Sequence, residues 1–122
     1  MNDNNEFNIT ITTVETIQSV ETIQSVEIEG DIDASTAPTV QEKVLPLVKL
    51  NSKILMDMTS VPYMSSAGLR MLLSLYRQTE AKKGKVVLVG ICEELQDTMS
   101  VTGFLDFFTI VDKYDEGIQK LQ

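Results

Sequence analysis

The stretch "YMSSAGLRMLLSLYRQ", residues 63–78, places two serines and a glycine directly before a run of apolar residues at helical spacing. This pattern predicts a helix from about Ser66 to Lys83 that stops at Gly84. Serine is a preferred N-cap because its side-chain oxygen accepts a hydrogen bond from a free backbone N–H of the first turn. We therefore interpret Ser65 and Ser66 first as capping residues. The question is whether one of the two hydroxyls has a second role.

The composition is that of a globular domain with an acidic surface. The chain has 122 residues, of which 43% are hydrophobic and 23% charged, and its net charge is −8. A chain of this length buries roughly two-thirds of its unfolded surface, so we expect one domain over residues 1–122. The negative charge disfavours nucleic acid and an anionic membrane as partners and favours another protein.

The compartment is inferred from three features of the sequence. No apolar run is long enough to span a membrane. The polar, acidic start does not resemble a signal peptide. The single cysteine, Cys92, excludes an internal disulfide and suits a reducing environment. We therefore expect a cytoplasmic protein, and one that is a monomer when free.

The N-terminal part of the chain predicts a β-hairpin that contains a duplication. Apolar and polar residues alternate through residues 7–12 and again through residues 25–29. Between them the segment VETIQS occurs twice, at 14–19 and 20–25. Because six is an even number, one added copy keeps the alternation of both strands. The sequence leaves open whether the extra residues, within 13–25, lengthen the strands or form a loop.

After the hairpin, helical and strand patterns alternate. The first helix has Pro38 in its first turn and an apolar stripe of Val40, Val44 and Leu47, and Pro46 is expected to bend or end it. This order of elements predicts an α/β fold with a mixed sheet of about five strands, and about four helices mainly covering one face. The remaining strands are predicted at 53–58, 85–90 and 107–111, and the remaining helices at 93–103 and 115–122.

The residues that enzymes use are largely missing. The chain has no histidine that could serve as a general base, and "SSAG", residues 65–68, is not the G-x-S-x-G motif of serine hydrolases. No glycine-rich phosphate loop precedes the helix, and no cluster of histidines and cysteines could bind a metal. We therefore expect no enzymatic activity, no cofactor and no metal site.

Two motifs give the chain a resemblance to a known family. A strand ending in Asp57 leads through a loop to "MSSAGL" at a helix start, and "GDID" precedes a capped helix about thirty residues earlier. In this order they resemble the STAS domain, and more narrowly the anti-sigma factor antagonists (anti-anti-sigma factors). In this sequence Ser65 replaces the usual Asp, and Ala67 replaces the usual Ser or Thr. The positions that match the two motifs are Met64, Ser66, Gly68 and Leu69, and Gly30, Asp31, Ile32 and Asp33.

The resemblance implies a switch operated by phosphorylation. In the family, the unphosphorylated protein binds an anti-sigma factor with serine-kinase activity and thereby frees the sigma factor. The kinase phosphorylates the antagonist, which ends binding, and a PP2C-type phosphatase restores it. Carried over by position, the acceptor is Ser66, and Ser65 is the alternative acceptor. The residues expected to take part in partner binding are Asp33, Met64, Ser65, Gly68, Leu69 and Arg70.

Each of these side chains has an expected role. Met64 and Leu69 are expected to form an exposed apolar rim, and Gly68 to leave room for the partner. Asp33 either caps the first helix or shapes the surface beside Ser66. Arg70 either contacts an acidic partner or is simply solvated. Two other functions stay open: regulation of a different signalling enzyme, and service as a STAS subunit of a transport or lipid-trafficking complex.

Overall fold

The computed structural model of the protein describes residues 7–17 and 19–122, which form five strands and four α-helices. No helix within these residues is both long and apolar enough to span a membrane. The strands are β1 (Asn8–Thr16), β2 (Ser19–Glu29), β3 (Lys53–Ser60), β4 (Lys85–Val89) and β5 (Thr109–Val111). The helices are α1 (Ala37–Val44), α2 (Ser66–Ala81), α3 (Glu93–Val101) and α4 (Tyr114–Leu121).

The strands form one mixed sheet in the order β1-β2-β3-β4-β5. β1 and β2 are antiparallel, whereas β2, β3, β4 and β5 run parallel to one another. Residues of α1, α2 and α3 pack in one buried cluster with alternate strand residues such as Met56 and Leu88. Leu121 of α4 packs with the intervening strand residues, such as Leu55 and Val87, on the opposite face. The predicted α/β fold, with helices mainly on one face, is confirmed.

The duplicated segment lengthens the strands of the hairpin instead of forming a loop. Val14 in the first copy is paired with Ile23 in the second, and the pairing continues to Thr16 and Ser19 after a shift in register. Ile23 is buried in the cluster on the α4 face. The connection is therefore short, and Ile17 at the tip is 98% exposed.

Five predicted elements are shorter in the structure: α2, β4 and α3 each end one or two residues early, and α1 and β5 differ because a 3₁₀ turn adjoins them. α1 ends at Val44, and Pro46 lies in a 3₁₀ turn, Leu45–Leu47, because proline has no N–H to continue the helix. Leu47 therefore does not belong to the α1 stripe. Of the fifth strand predicted at 107–111, only the last three residues belong to β5. Phe107 instead ends a second 3₁₀ turn and packs against the ring of Tyr76, with ring centroids 5.7 Å apart.

Candidate partner-binding site at the start of helix α2

The two motifs found in the sequence are bonded to each other in the structure. Main-chain hydrogen bonds join the Ile32 N–H to the Tyr63 carbonyl at 3.0 Å and the Ser65 N–H to the Ile32 carbonyl at 2.9 Å. Ile32 and Met64 thus form an isolated parallel bridge. The bridge lies beyond the carboxyl ends of β2 and β3, where neighbouring parallel strands bring their following loops to the same edge of the sheet. It places Asp33 and Ser65 on adjoining segments.

The two serines have different positions in the helix. Ser65 is the N-cap: its backbone is extended, and its hydroxyl oxygen accepts a hydrogen bond from the Gly68 N–H at 3.4 Å. Ser66 is the first residue of α2 and is exposed. Among residues 7–17 and 19–122 its hydroxyl has no hydrogen-bond partner. Only Ser65 thus has the capping role considered for both residues.

Asp33 organises the turn that leads into α1. Its Oδ1 accepts hydrogen bonds from the Ser35 hydroxyl at 2.7 Å, the Ser35 N–H at 2.9 Å and the Thr36 N–H at 3.1 Å. These bonds, led by that from the Ser35 hydroxyl, lower the pKa of Asp33 below its ordinary value. The residue at the N-cap position of α1 is Thr36. Asp33 therefore holds the turn as a carboxylate beside the start of α2.

Three residues expected at the partner surface are buried instead. Met64 is 4% exposed and Leu69 is 6% exposed, and both belong to the main core, so the expectation of an exposed apolar rim is wrong. Gly68 is also buried, and a Cβ there would lie 2.8 Å from the Ile32 carbonyl oxygen and overlap the Met64 side chain. Gly68 therefore allows α2 to approach the Ile32 segment, and it does not leave room for a partner.

The exposed part of the site includes Tyr63, Ser66 and Arg70. Tyr63 is 53% exposed, and the sequence does not indicate this because the segment before α2 has the pattern of a loop. The bridge at Met64 gives this segment the alternation of a strand, which turns the neighbouring Tyr63 outward. Arg70 is exposed and lines a shallow groove of about 300 Å³ between α1 and α2, together with Ala67.

The segment next to Ser66 carries acidic residues. Asp31 is exposed and Asp33 is half-buried, and both follow β2 on the segment that is bonded to Ser65. Neither residues 21–42 nor residues 54–69 contain a lysine or arginine. The nearest basic residue along the chain is Arg70, one turn further along α2, so an added negative group on Ser66 would lie between acidic residues and one arginine.

Comparison with known proteins places the chain in a family. The family model described as the STAS domain matches residues 13–117. The chain belongs to the STAS domain family. This STAS domain is 30% identical over 92 residues to the anti-sigma-B factor antagonist of Bacillus subtilis. The aligned residues cover 75% of this chain and 84% of that protein.

Solved structures show the same fold. An anti-sigma factor antagonist from Mycobacterium paratuberculosis superposes with a TM-score of 0.78 at 18% identity, covering 99% of this STAS domain and 98% of that chain. The Bacillus cell fate determinant SpoIIAA, solved in its phosphorylated form, superposes with a TM-score of 0.66 at 16% identity, covering 93% and 100% of the two chains.

Proposed function

We propose that this STAS domain is an anti-sigma factor antagonist that is switched by phosphorylation of Ser66. The unphosphorylated form binds an anti-sigma factor with serine-kinase activity through the exposed surface around Ser66, and the sigma factor is released. The similarity to the Bacillus subtilis antagonist supports the class of partner. The choice of Ser66 rests on one observation: Ser65 caps α2, whereas the Ser66 hydroxyl is exposed and has no hydrogen-bond partner within the part of the chain that the structure describes.

The proposed chemistry is carried by the partner enzymes. The kinase transfers the γ-phosphoryl group of ATP to the Ser66 oxygen and releases ADP. A PP2C-type phosphatase hydrolyses the phosphate ester with water and restores the free hydroxyl. This STAS domain supplies the acceptor and the binding surface, and it has no catalytic role. Because the kinase uses ATP, we place the switch in the cytoplasm.

The fold can accept a phosphate at Ser66 without rearrangement. The start of a helix has free N–H groups and about half a positive charge, both of which favour an anion. A phosphate on Ser66, the first residue of α2, adds about −1.5 to −2 charges at neutral pH. Negative charge on the partner would then repel the phosphate and oppose binding. Binding would also remove the water that solvates the phosphate, which is a further cost. The switch therefore acts on the interface and leaves the domain folded.

The test combines a binding titration with phosphate incorporation, using the cognate anti-sigma factor and ATP. Wild type should take up one phosphate and then dissociate. Ser66→Ala should take up none and stay bound, and Ser66→Asp should be folded but bind weakly. Ser65→Ala is the matched control, which removes the cap but keeps the acceptor, and it should still be phosphorylated.

Two results would contradict the proposal in different ways. Phosphate uptake by Ser66→Ala, with none by Ser65→Ala, would move the acceptor to Ser65. Wild type that binds no anti-sigma factor but binds another signalling enzyme or a transporter subunit would show that the target is different.

A further inference from the structure

The end of the sheet opposite Ser66 concentrates positive charge on a chain whose net charge is −8. The positive residues lie in the two loops that lead into the amino ends of β3 and β4, residues 49–53 and 82–85. These two short segments contain five of the ten basic residues of the protein, which are Lys49, Lys53, Lys82, Lys83 and Lys85.

The main chain holds these two loops together. The Asn51 N–H donates to the Lys82 carbonyl at 2.8 Å, and the Lys85 N–H donates to the Ser52 carbonyl at 2.8 Å. Asn51 and Lys83 both have φ values of 61°, in the left-handed region that non-glycine residues seldom adopt. The positions of the lysines are therefore set by the backbone of the fold.

The arrangement places like charges next to each other. Lys53 and Lys85 are direct partners in the register of β3 and β4, so their side chains leave the same face of the sheet. Like charges at directly opposed positions destabilise a sheet. Glu21 offsets part of this repulsion through an ion pair with Lys53 at 3.8 Å. A bound anion would relieve the rest.

A pocket of about 220 Å³ lies at this point, and it is lined by Lys53, Lys83, Lys85, Asn51, Ser52 and the one acidic residue Glu21. The Ser52 hydroxyl oxygen accepts a hydrogen bond from a backbone N–H at 3.3 Å, so its own O–H can donate to a ligand. We propose that this pocket binds a small anion with several phosphate groups. The concave shape and small volume favour such a ligand over a flat membrane surface or a polypeptide.

The proposal can be tested by calorimetric titration with tripolyphosphate at an ionic strength of about 0.15 M, where long-range attraction is screened. Lys85→Gln and Lys83→Gln should each weaken binding about fivefold, the effect of losing one solvated charge contact. Lys43→Gln is the matched control, since it changes the net charge equally but lies in α1, and it should bind as wild type does. Glu21→Gln should bind more tightly, because it removes the carboxylate that competes for Lys53.

Each of the other outcomes would overturn the proposal. An equal loss in Lys43→Gln would indicate diffuse attraction without a pocket. Binding to phosphatidylglycerol vesicles without binding of tripolyphosphate would indicate a membrane surface, and binding of neither would leave no anion site. Circular dichroism of the variants separates a binding loss from misfolding. Phosphorylation of Ser66 is measured at the other end of the sheet, so the two proposals can fail separately.

Discussion

The segment before α2 and the tip of the β1–β2 hairpin both lie at an end of the sheet, yet they are held very differently. The first is bonded to the Ile32 segment through two main-chain hydrogen bonds and packed against it through Gly68. The tip extends beyond the Val14–Ile23 pair, and Ile17 there is almost fully exposed. The comparison shows that the core positions the site, whereas the hairpin tip is exposed, so we expect a change in the length of the tip to cost little stability.

Among the variants that test this comparison, replacement of Gly68 should cause the largest loss of stability. Gly68→Leu should lower the free energy of unfolding by about 3 kcal/mol or more, because its side chain has to displace Met64 and the Ile32 main chain. Chemical denaturation measures the loss. Gly103→Ala is the control: its Cβ would meet nothing within 4 Å, so it should show only the smaller cost of a left-handed backbone, about 1 kcal/mol. A stable Gly68→Leu protein that fails only in partner binding would contradict the packing role.

Removal of the Asp33 carboxylate should cause the next largest loss of stability. Asp33→Ala loses several hydrogen bonds of the turn at once and should lower the melting temperature. Asp31→Ala is the matched control, since the Asp31 side chain makes no hydrogen bond among the residues that the structure describes. Equal melting temperatures for the two variants would show that the turn does not depend on Asp33.

The same carboxylate predicts a dependence on pH. The pKa of Asp33 is lower in the folded protein than its ordinary value of 3.8, so folding favours the charged form. Its contribution to stability is therefore present above pH 3.8 and is lost as the pH falls through the lower folded value. Denaturation between about pH 5 and pH 2 should show this decrease in wild type and less of it in Asp33→Ala.

The two serines provide a comparison within the site itself. Ser65→Ala should lower the free energy of unfolding by about 1 kcal/mol, because the capping bond to the Gly68 N–H is lost. Ser66→Ala should change it by less than about 0.5 kcal/mol, since Ser66 is an exposed first helical residue. Urea denaturation of the two variants in parallel measures both changes in the free energy of unfolding. Equal losses would mean that both hydroxyls cap the helix.

Deleting one VETIQS copy should have a small effect. Joining Val14 directly to Glu21 keeps every strand pair from Asn8–Glu29 to Val14–Ile23 and leaves a two-residue turn, Glu21–Thr22. The free energy of unfolding should fall by less than about 1 kcal/mol, since the strand pairs are kept. Some loss is expected because a Glu-Thr turn lacks the glycine or asparagine that tight hairpins prefer. Partner binding should be unchanged. Aggregation or a large loss of stability would show that the sheet depends on the extended hairpin.

Much of this architecture could be predicted from the sequence. The alternation of apolar residues located the hairpin and the strands, and the helical spacing after Ser66 located α2, because periodicity directly reflects which face of an element is buried. Pro46 marked the end of α1 for a local reason, the missing N–H. The even length of the repeat preserved the register, but the sequence could not decide between longer strands and a loop.

Other features were decided only by the tertiary structure. Residue type could not tell which serine caps α2, because both carry the same hydroxyl and the cap depends on where the helix begins. The sequence predicts Met64 and Leu69 as a partner rim, yet Met64 bridges to Ile32 and Leu69 lies on the buried face of α2, so both belong to the core. The adjoining lysines at the amino ends of β3 and β4 are 32 positions apart in the chain, and only strand pairing makes them neighbours. The sequence by itself determined the elements and their order, and the packing of distant segments decided which side chains are available to a partner.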